Sequence, residues 1–208
     1  MNSGYFIAFE GPEGAGKSSQ IAQLTTRLEA AGIALLTSRE PGGTQTGDAI
    51  RKVLLDPALT MTPLTEFLLY SASRAEHVET VIAPALAQNK VVITDRFAGA
   101  SLAYQGYGRG VALTLIQELT HTITTRLPDL TILLDIDVNK GLARIAKRGQ
   151  LDRLERANIS FHQRVRQGFL EQAHDPSWLT FDADQDEHTL TQQIYDAVIA
   201  RVCAKLNL

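Results

Sequence analysis

The chain is 208 residues long, with 44% hydrophobic and 21% charged residues, proportions of a globular domain that exclude a disordered, collagen-like or coiled-coil protein. Its 20 Lys and Arg against 23 Asp and Glu give a net charge of −3, which argues against a broad nucleic-acid or membrane footprint and leaves room only for local arginine clusters and small anionic ligands. No apolar run approaches the ~18 residues that cross a bilayer, the first residues carry no basic head or cleavage site, and the single cysteine, Cys203, has no disulfide partner; a soluble, unprocessed chain in a reducing cytoplasm is expected, with Cys203 a buried structural thiol.

In chain order, short apolar runs with the length of buried strands occur at residues 5–9, 33–37, 91–94, 130–136 and 178–181. Segments with helical spacing lie between them. In the first, Ile21, Leu24, Leu28 and Ala31 share one face and Gly32 follows as a stop. A long helical pattern over residues 62–88 is interrupted only by Pro84, which either kinks it or marks its last turn, and Leu64 and Leu68 are available to an interface. In the last, Leu190, Ile194, Val198, Val202 and Leu206 recur every four residues. Without repeats or linkers, this alternation predicts one α/β domain, residues 1–208, around a parallel sheet.

The strongest local signal is Gly11-Pro12-Glu13-Gly14-Ala15-Gly16-Lys17-Ser18, which fits G-x-x-x-x-G-K-[ST] between the first strand and the first helix. Backbone N–H groups of such a loop wrap an anion, and the helix N-terminus adds its positive end. Lys17 is then expected on the β- and γ-phosphate oxygens of a nucleotide, and Ser18 on Mg²⁺. A GTPase is disfavoured because Asn89-Lys90 continues as Val91-Val92 rather than Asn-Lys-x-Asp. Asp95, at the end of the third strand, is placed to hold water on the metal while Arg96 reaches a phosphate.

Three further segments concentrate chemistry in what the strand pattern predicts to be loops. They are Arg39-Glu40-Pro41-Gly42-Gly43-Thr44, the cluster Ser101-Leu102-Ala103-Tyr104-Gln105-Gly106, and the arginine-rich stretch from Arg144 through Arg148-Gly149 to Arg153 and Glu155, in which Gly149 offers a hinge. The five histidines, His77, His121, His162, His174 and His188, lack metal-ligand spacing, so Mg²⁺ is the only metal implied.

These blocks together, from Phe9-Glu10-Gly11 through Asp95-Arg96-Phe97 to Tyr104-Gln105-Gly106, resemble the bacterial thymidylate kinases. The resemblance implies a P-loop nucleoside-monophosphate kinase fold, with five parallel strands flanked by helices. It also implies transfer of the γ-phosphoryl of ATP to dTMP, giving dTDP for dTTP synthesis in the cytoplasm, by a homodimer whose interface includes residues 62–88. By the same resemblance Gly11 to Ser18, with Ser19, bind ATP, and adenine lies near Ala183-Asp184-Gln185. On the substrate side Glu40 and Ser101 belong to the dTMP site, Tyr70 stacks on thymine where phenylalanine is more usual, and Arg74 and Gln105 contact the base. Arg51 and Arg96 hold the dTMP phosphate, Glu13 approaches the 3′-hydroxyl and the transferring phosphate, and Tyr104 lies against C2′. Ala100 stands where many relatives have serine. The P-loop has no basic residue between Gly11 and Gly16, so the catalytic positive charge is expected from a lid at residues 144–156. Arg148 is the leading candidate, and Arg144 and Arg153, which also join the ATP site, are in reserve. A kinase for another nucleoside monophosphate or for a deoxynucleoside, and a nucleotide-sensing P-loop module or inactive interaction protein, are the competing readings.

Overall fold

The structure, a computed structural model, describes residues 4–147 and 149–206. Five strands, β1 (Tyr5–Glu10), β2 (Leu35–Arg39), β3 (Val91–Asp95), β4 (Leu130–Asp135) and β5 (Trp178–Asp182), form one all-parallel sheet in the order β2-β3-β1-β4-β5. The second strand begins two residues later than its apolar run suggests, because Ile33 packs into the core from the turn after helix α1 (Lys17–Ala30). The central strand β1 is buried at every position, as a strand covered on both faces must be. Its side chains alternate: Tyr5, Ile7 and Phe9 enter the core under α1 and α9 (Glu187–Leu206), whereas Phe6 and Ala8 pack with Val78, Ile82 and Phe97 on the other face. Chain connections diverge about β1, leaving a crevice at the strands' C-terminal ends.

Helix α1 buries Ile21, Leu24 and Leu28, but Ala31, expected on that face, is exposed. The helix has already ended there: the N–H groups of Ala31 and Gly32 return to Arg27 O and Glu29 O, and Gly32 takes φ +77°. The last helix buries Leu190, Ile194, Val198 and Val202 as the spacing predicts, while Cys203 is half-buried rather than buried.

The long pattern over residues 62–88 is a continuous helical run in three parts. Helix α3 (Pro63–His77) starts at Thr62, whose hydroxyl accepts from Thr65 N, and passes through a widened π-type stretch (Val78–Ile82) into α4 (Ala83–Ala87). Pro84 sits in the first turn of α4, where its missing N–H costs least, and the widened turn precedes it. Helices α2 (Gln45–Leu55), α5 (Ala98–Ser101), α6 (Leu113–Ile123), α7 (Val138–Ala146) and α8 (Ile159–Gln172) complete the covering layers. The segment 101–106, expected as a loop, is helical instead: α5 runs into a second π-type stretch (Leu102–Gly108). Packing against α8 imposes this, and a Cβ on Gly168 of α8 would lie 2.8 Å from the Tyr107 ring.

Candidate functional site

Residues 11–16 connect β1 to α1 in a loop that requires glycine at positions 11 and 14. Gly11 and Gly14 have φ +142° and +75°, and a Cβ would lie 2.3 Å from Leu134 O at the first and 2.2 Å from Gly141 O at the second. Gly16, at φ 83°, caps α1 with no side chain over its N-terminus, so the first N–H groups are open to an anion. Lys17 is buried and folds back over the loop, donating to Gly11 O at 2.9 Å and Pro12 O at 3.0 Å. Burial foremost, with the nearby Arg96 guanidinium, pushes its ammonium down to about 8. The Ser18 hydroxyl donates to Asp95 Oδ2 at 2.8 Å, bringing together the hydroxyl and the carboxylate expected to hold the metal. Two oxygen donors at the rim of the phosphate cavity suit a hard cation such as Mg²⁺.

That cavity, about 330 Å³, runs from the loop past Arg51 and Arg96 to Tyr70 and to Leu154 and Glu155. Arg96 is built for it at a conformational cost: it follows β3 with φ 68°, a left-handed backbone that side-chain-bearing residues seldom adopt, held by its N–H on Phe9 O at 2.9 Å. The turn aims its guanidinium back at the loop. Nη1 donates to Gly11 O at 3.1 Å, and Nη2 donates to Glu13 Oε1 at 2.7 Å and to the Tyr104 hydroxyl at 3.0 Å. Tyr104 OH in turn donates to Glu13 Oε1 at 2.7 Å. Burial alone would raise the Glu13 carboxyl, but Arg96, then Lys17 and the Tyr104 hydroxyl, outweigh it and hold it at about 2. Glu13 is thus a fixed negative charge between two cations, while burial pushes the Tyr104 phenol well above its usual range and keeps it a donor. Arg51, from α2, donates to Pro41 O at 2.9 Å and lines the same cavity.

A smaller pocket continues from this cluster, walled by Tyr70, Ala100, Ser101, Tyr104 and Gln105. Arg74 lies beneath it, fully buried: Nε donates to Glu40 Oε2 at 2.7 Å, and Nη2 donates to Phe97 O at 3.0 Å and Ser101 Oγ at 2.9 Å. Its Nη1 is buried without a hydrogen-bond partner among the described residues. Glu40 and Ser101, expected on the substrate side, thus act directly on Arg74, and the second Glu40 oxygen faces His77 Nδ1 at 3.2 Å. Burial, then the Glu66 charge, raises the Tyr70 hydroxyl, so it stays protonated.

The arginines of the 144–156 segment go to different places. Arg144 donates to Ala183 O at 3.0 Å and to Gly14 O and Asp184 Oδ1 at 3.4 and 3.3 Å, strapping the outer side of the phosphate loop to the 183–185 turn. Arg153 points away from the loop, with Nε on Leu54 O at 2.8 Å and Nη1 on Glu66 Oε2 at 2.5 Å. Arg148 lies outside the described residues. Glu66 was not among the expected site residues. Its signal was its spacing, one turn before Tyr70 and two before Arg74 on the same helical face.

Comparison with known proteins agrees with this geometry. The sequence profile described as thymidylate kinase matches residues 9–194. The chain is similar to the thymidylate kinase of Deinococcus radiodurans, 53% identical over 97% of this chain and 99% of the relative. It is also similar to that of Halothermothrix orenii, 46% identical over 94% of this chain and 96% of the relative. In three dimensions it resembles the crystal structure of thymidylate kinase from Ehrlichia chaffeensis, with a TM-score of 0.77 and 30% identity over 94% of this chain and 99% of that one.

Proposed function

The chain belongs to the thymidylate kinase family, P-loop nucleoside-monophosphate kinases that phosphorylate dTMP to dTDP with ATP, and from that premise we propose how its own residues divide the work. The observation that carries the division is the Arg96–Glu13–Tyr104 cluster, which joins the ATP loop to the nucleoside pocket through a single carboxylate oxygen.

On the donor side, the N–H groups of Gly14, Ala15 and Gly16 and of the first turn of α1 cradle the ATP phosphates, and Lys17 leaves the loop carbonyls for the β- and γ-oxygens. Arg144, tied to Gly14 and to the 183–185 turn, shapes the adenine end. Ser18, with Asp95 through water, would hold Mg²⁺, which would supply positive charge against the phosphates. On the acceptor side Arg51 and Arg96 bind the dTMP phosphate, and Glu13 orients Arg96 while meeting the 3′-hydroxyl edge of the sugar. Tyr70 stacks on thymine, Arg74 Nη1 donates to a base carbonyl, and Tyr104 covers C2′. Transfer needs no histidine base, because the barrier falls through alignment and charge stabilisation. Residues 144–156 form the lid of a single domain and bring Arg148 to the transferring phosphoryl.

Val53 on α2, Leu64 and Leu68 on α3, and Leu113 and Leu115 on α6 are exposed, which supports a homodimer through these helices. Among the described residues no helix is long and apolar enough to cross a membrane; with the lone cysteine this supports a cytoplasmic enzyme. A coupled assay with ATP and Mg²⁺ tests the whole assignment by comparing dTMP with dUMP, dCMP, dGMP and the ribose analogue of dTMP. The highest kcat/KM belongs to dTMP; a clear preference for another nucleotide would overturn it.

A further inference from the structure

Phosphoryl transfer has no use for a carboxylate at Glu66, yet this side chain is almost wholly buried in α3 and receives donors from two other parts of the chain. Oε1 accepts from Gln105 Nε2 at 2.9 Å and from Arg109 Nε at 3.4 Å, and Oε2 accepts from Arg153 Nη1 at 2.5 Å. Arg153 is fixed further by its Nε on Leu54 O at 2.8 Å, so the chain at Arg153 is bolted to α2 and α3 at the nucleoside end of the site.

An ionised carboxylate only accepts hydrogen bonds. Facing Glu66, Gln105 must therefore present its NH₂, which leaves its carbonyl oxygen as the end that meets an occupant of the pocket it lines with Tyr70, Ser101 and Tyr104. An acceptor in the wall calls for an N–H on the ring opposite. Thymine and uracil carry one at N3, where cytosine has a lone pair. We infer that Glu66 is a positioning residue that sets the choice of a thymine-type over a cytosine-type ring by locking the Gln105 amide, and that the same carboxylate latches the lid through Arg153. This rests on dTMP being the acceptor nucleotide.

The test is kcat/KM for dTMP and dCMP in the wild type, Glu66→Gln, Gln105→Met and the double variant. In Glu66→Gln, Arg153, which makes the shorter contact, retains the carbonyl end of the new amide and turns its NH₂ toward Gln105, and the longer contact from Arg109 is given up. Gln105 then flips and offers its own NH₂ to the ring. The dTMP:dCMP ratio is expected to fall by roughly tenfold or more, with a similar fall in Gln105→Met and no further fall when the two are combined. Arg153→Met should lower kcat for both nucleotides alike and leave the ratio unchanged. Equal losses for both nucleotides in Glu66→Gln, or an unchanged ratio in Gln105→Met should Glu66→Gln not fold, would overturn the inference. A wild type that does not prefer dTMP to dCMP would instead overturn the substrate assignment.

Discussion

The Ser18 hydroxyl donates to Asp95 Oδ2 at 2.8 Å, linking the first turn of α1 to the last residue of β3. Each group satisfies the other. Under the proposed function the hydroxyl oxygen would ligate Mg²⁺ and the carboxylate would hold its water. Asp95→Asn removes that acceptor charge but keeps its size, and should weaken the apparent Mg²⁺ affinity by about 10–100-fold. Activity titrated against Mg²⁺ at saturating ATP and dTMP checks this; a titration superimposing on the wild type would remove Asp95 from the metal site.

Tyr104 contributes a ring and a hydroxyl, and the two are separable. The ring borders the pocket, whereas the hydroxyl joins Arg96 to Glu13. Tyr104→Ala should narrow the kcat/KM gap between dTMP and its ribose analogue by roughly 5–100-fold, since excluding and unpairing a 2′-hydroxyl costs ~1–3 kcal/mol. Tyr104→Phe should keep the gap and lower the rate for both sugars. If Tyr104→Ala keeps the gap, another group selects the sugar.

Much of this was legible beforehand because it is local. The five strands announce themselves as short apolar runs, and the phosphate loop as a glycine pattern between strand and helix. What could not be read depends on contacts distant along the chain. Residues 101–106 carry glycine, glutamine and tyrosine in a loop-like mixture, and they are helical because α8 packs on them through Gly168. Arg153 is expected at the ATP site as part of an arginine-rich run, and that run gives no sign of its partner Glu66, which lies 87 residues earlier. Glu66 itself looked like an ordinary polar position on a helix, since nothing in its own neighbourhood shows that Gln105 and Arg109 converge on it.

Glu10 links stability to pH. The strand alternation sends it to the core face opposite Phe9, where Oε1 accepts from the N–H groups of Phe97 and Ala100 and Oε2 has no partner among the described residues. Burial raises its carboxyl from 4.5 to about 7. The folded chain thus binds a proton that the unfolded chain releases, so this contribution is complete below pH 4.5 and is lost as the pH rises through 7. The stability of the wild type relative to Glu10→Gln should fall by about 3 kcal/mol between pH 4.5 and pH 8, read from urea midpoints at the two values. A constant offset would mean that the Glu10 carboxyl titrates alike in the folded and unfolded chain.

The proposal gives the transferring phosphoryl to Arg148, while Arg144 is bound to the 183–185 turn and Arg153 to Glu66. In single-turnover kinetics Arg148→Ala should slow transfer by ~10³–10⁵ while dTMP affinity changes little. A loss below tenfold there with a large loss in Arg144→Ala would reassign the role.

The division of the site into a donor side and an acceptor side meets at Lys17, which rests on the loop carbonyls only a few residues from the Glu13–Arg96 pair. Titration calorimetry of dTMP into Lys17→Ala, paired with its single-turnover rate, separates the two sides. If Lys17 serves ATP alone, transfer is lost and the dTMP dissociation constant stays within about threefold of the wild type. Loss of dTMP affinity as severe as the loss of transfer would contradict the division.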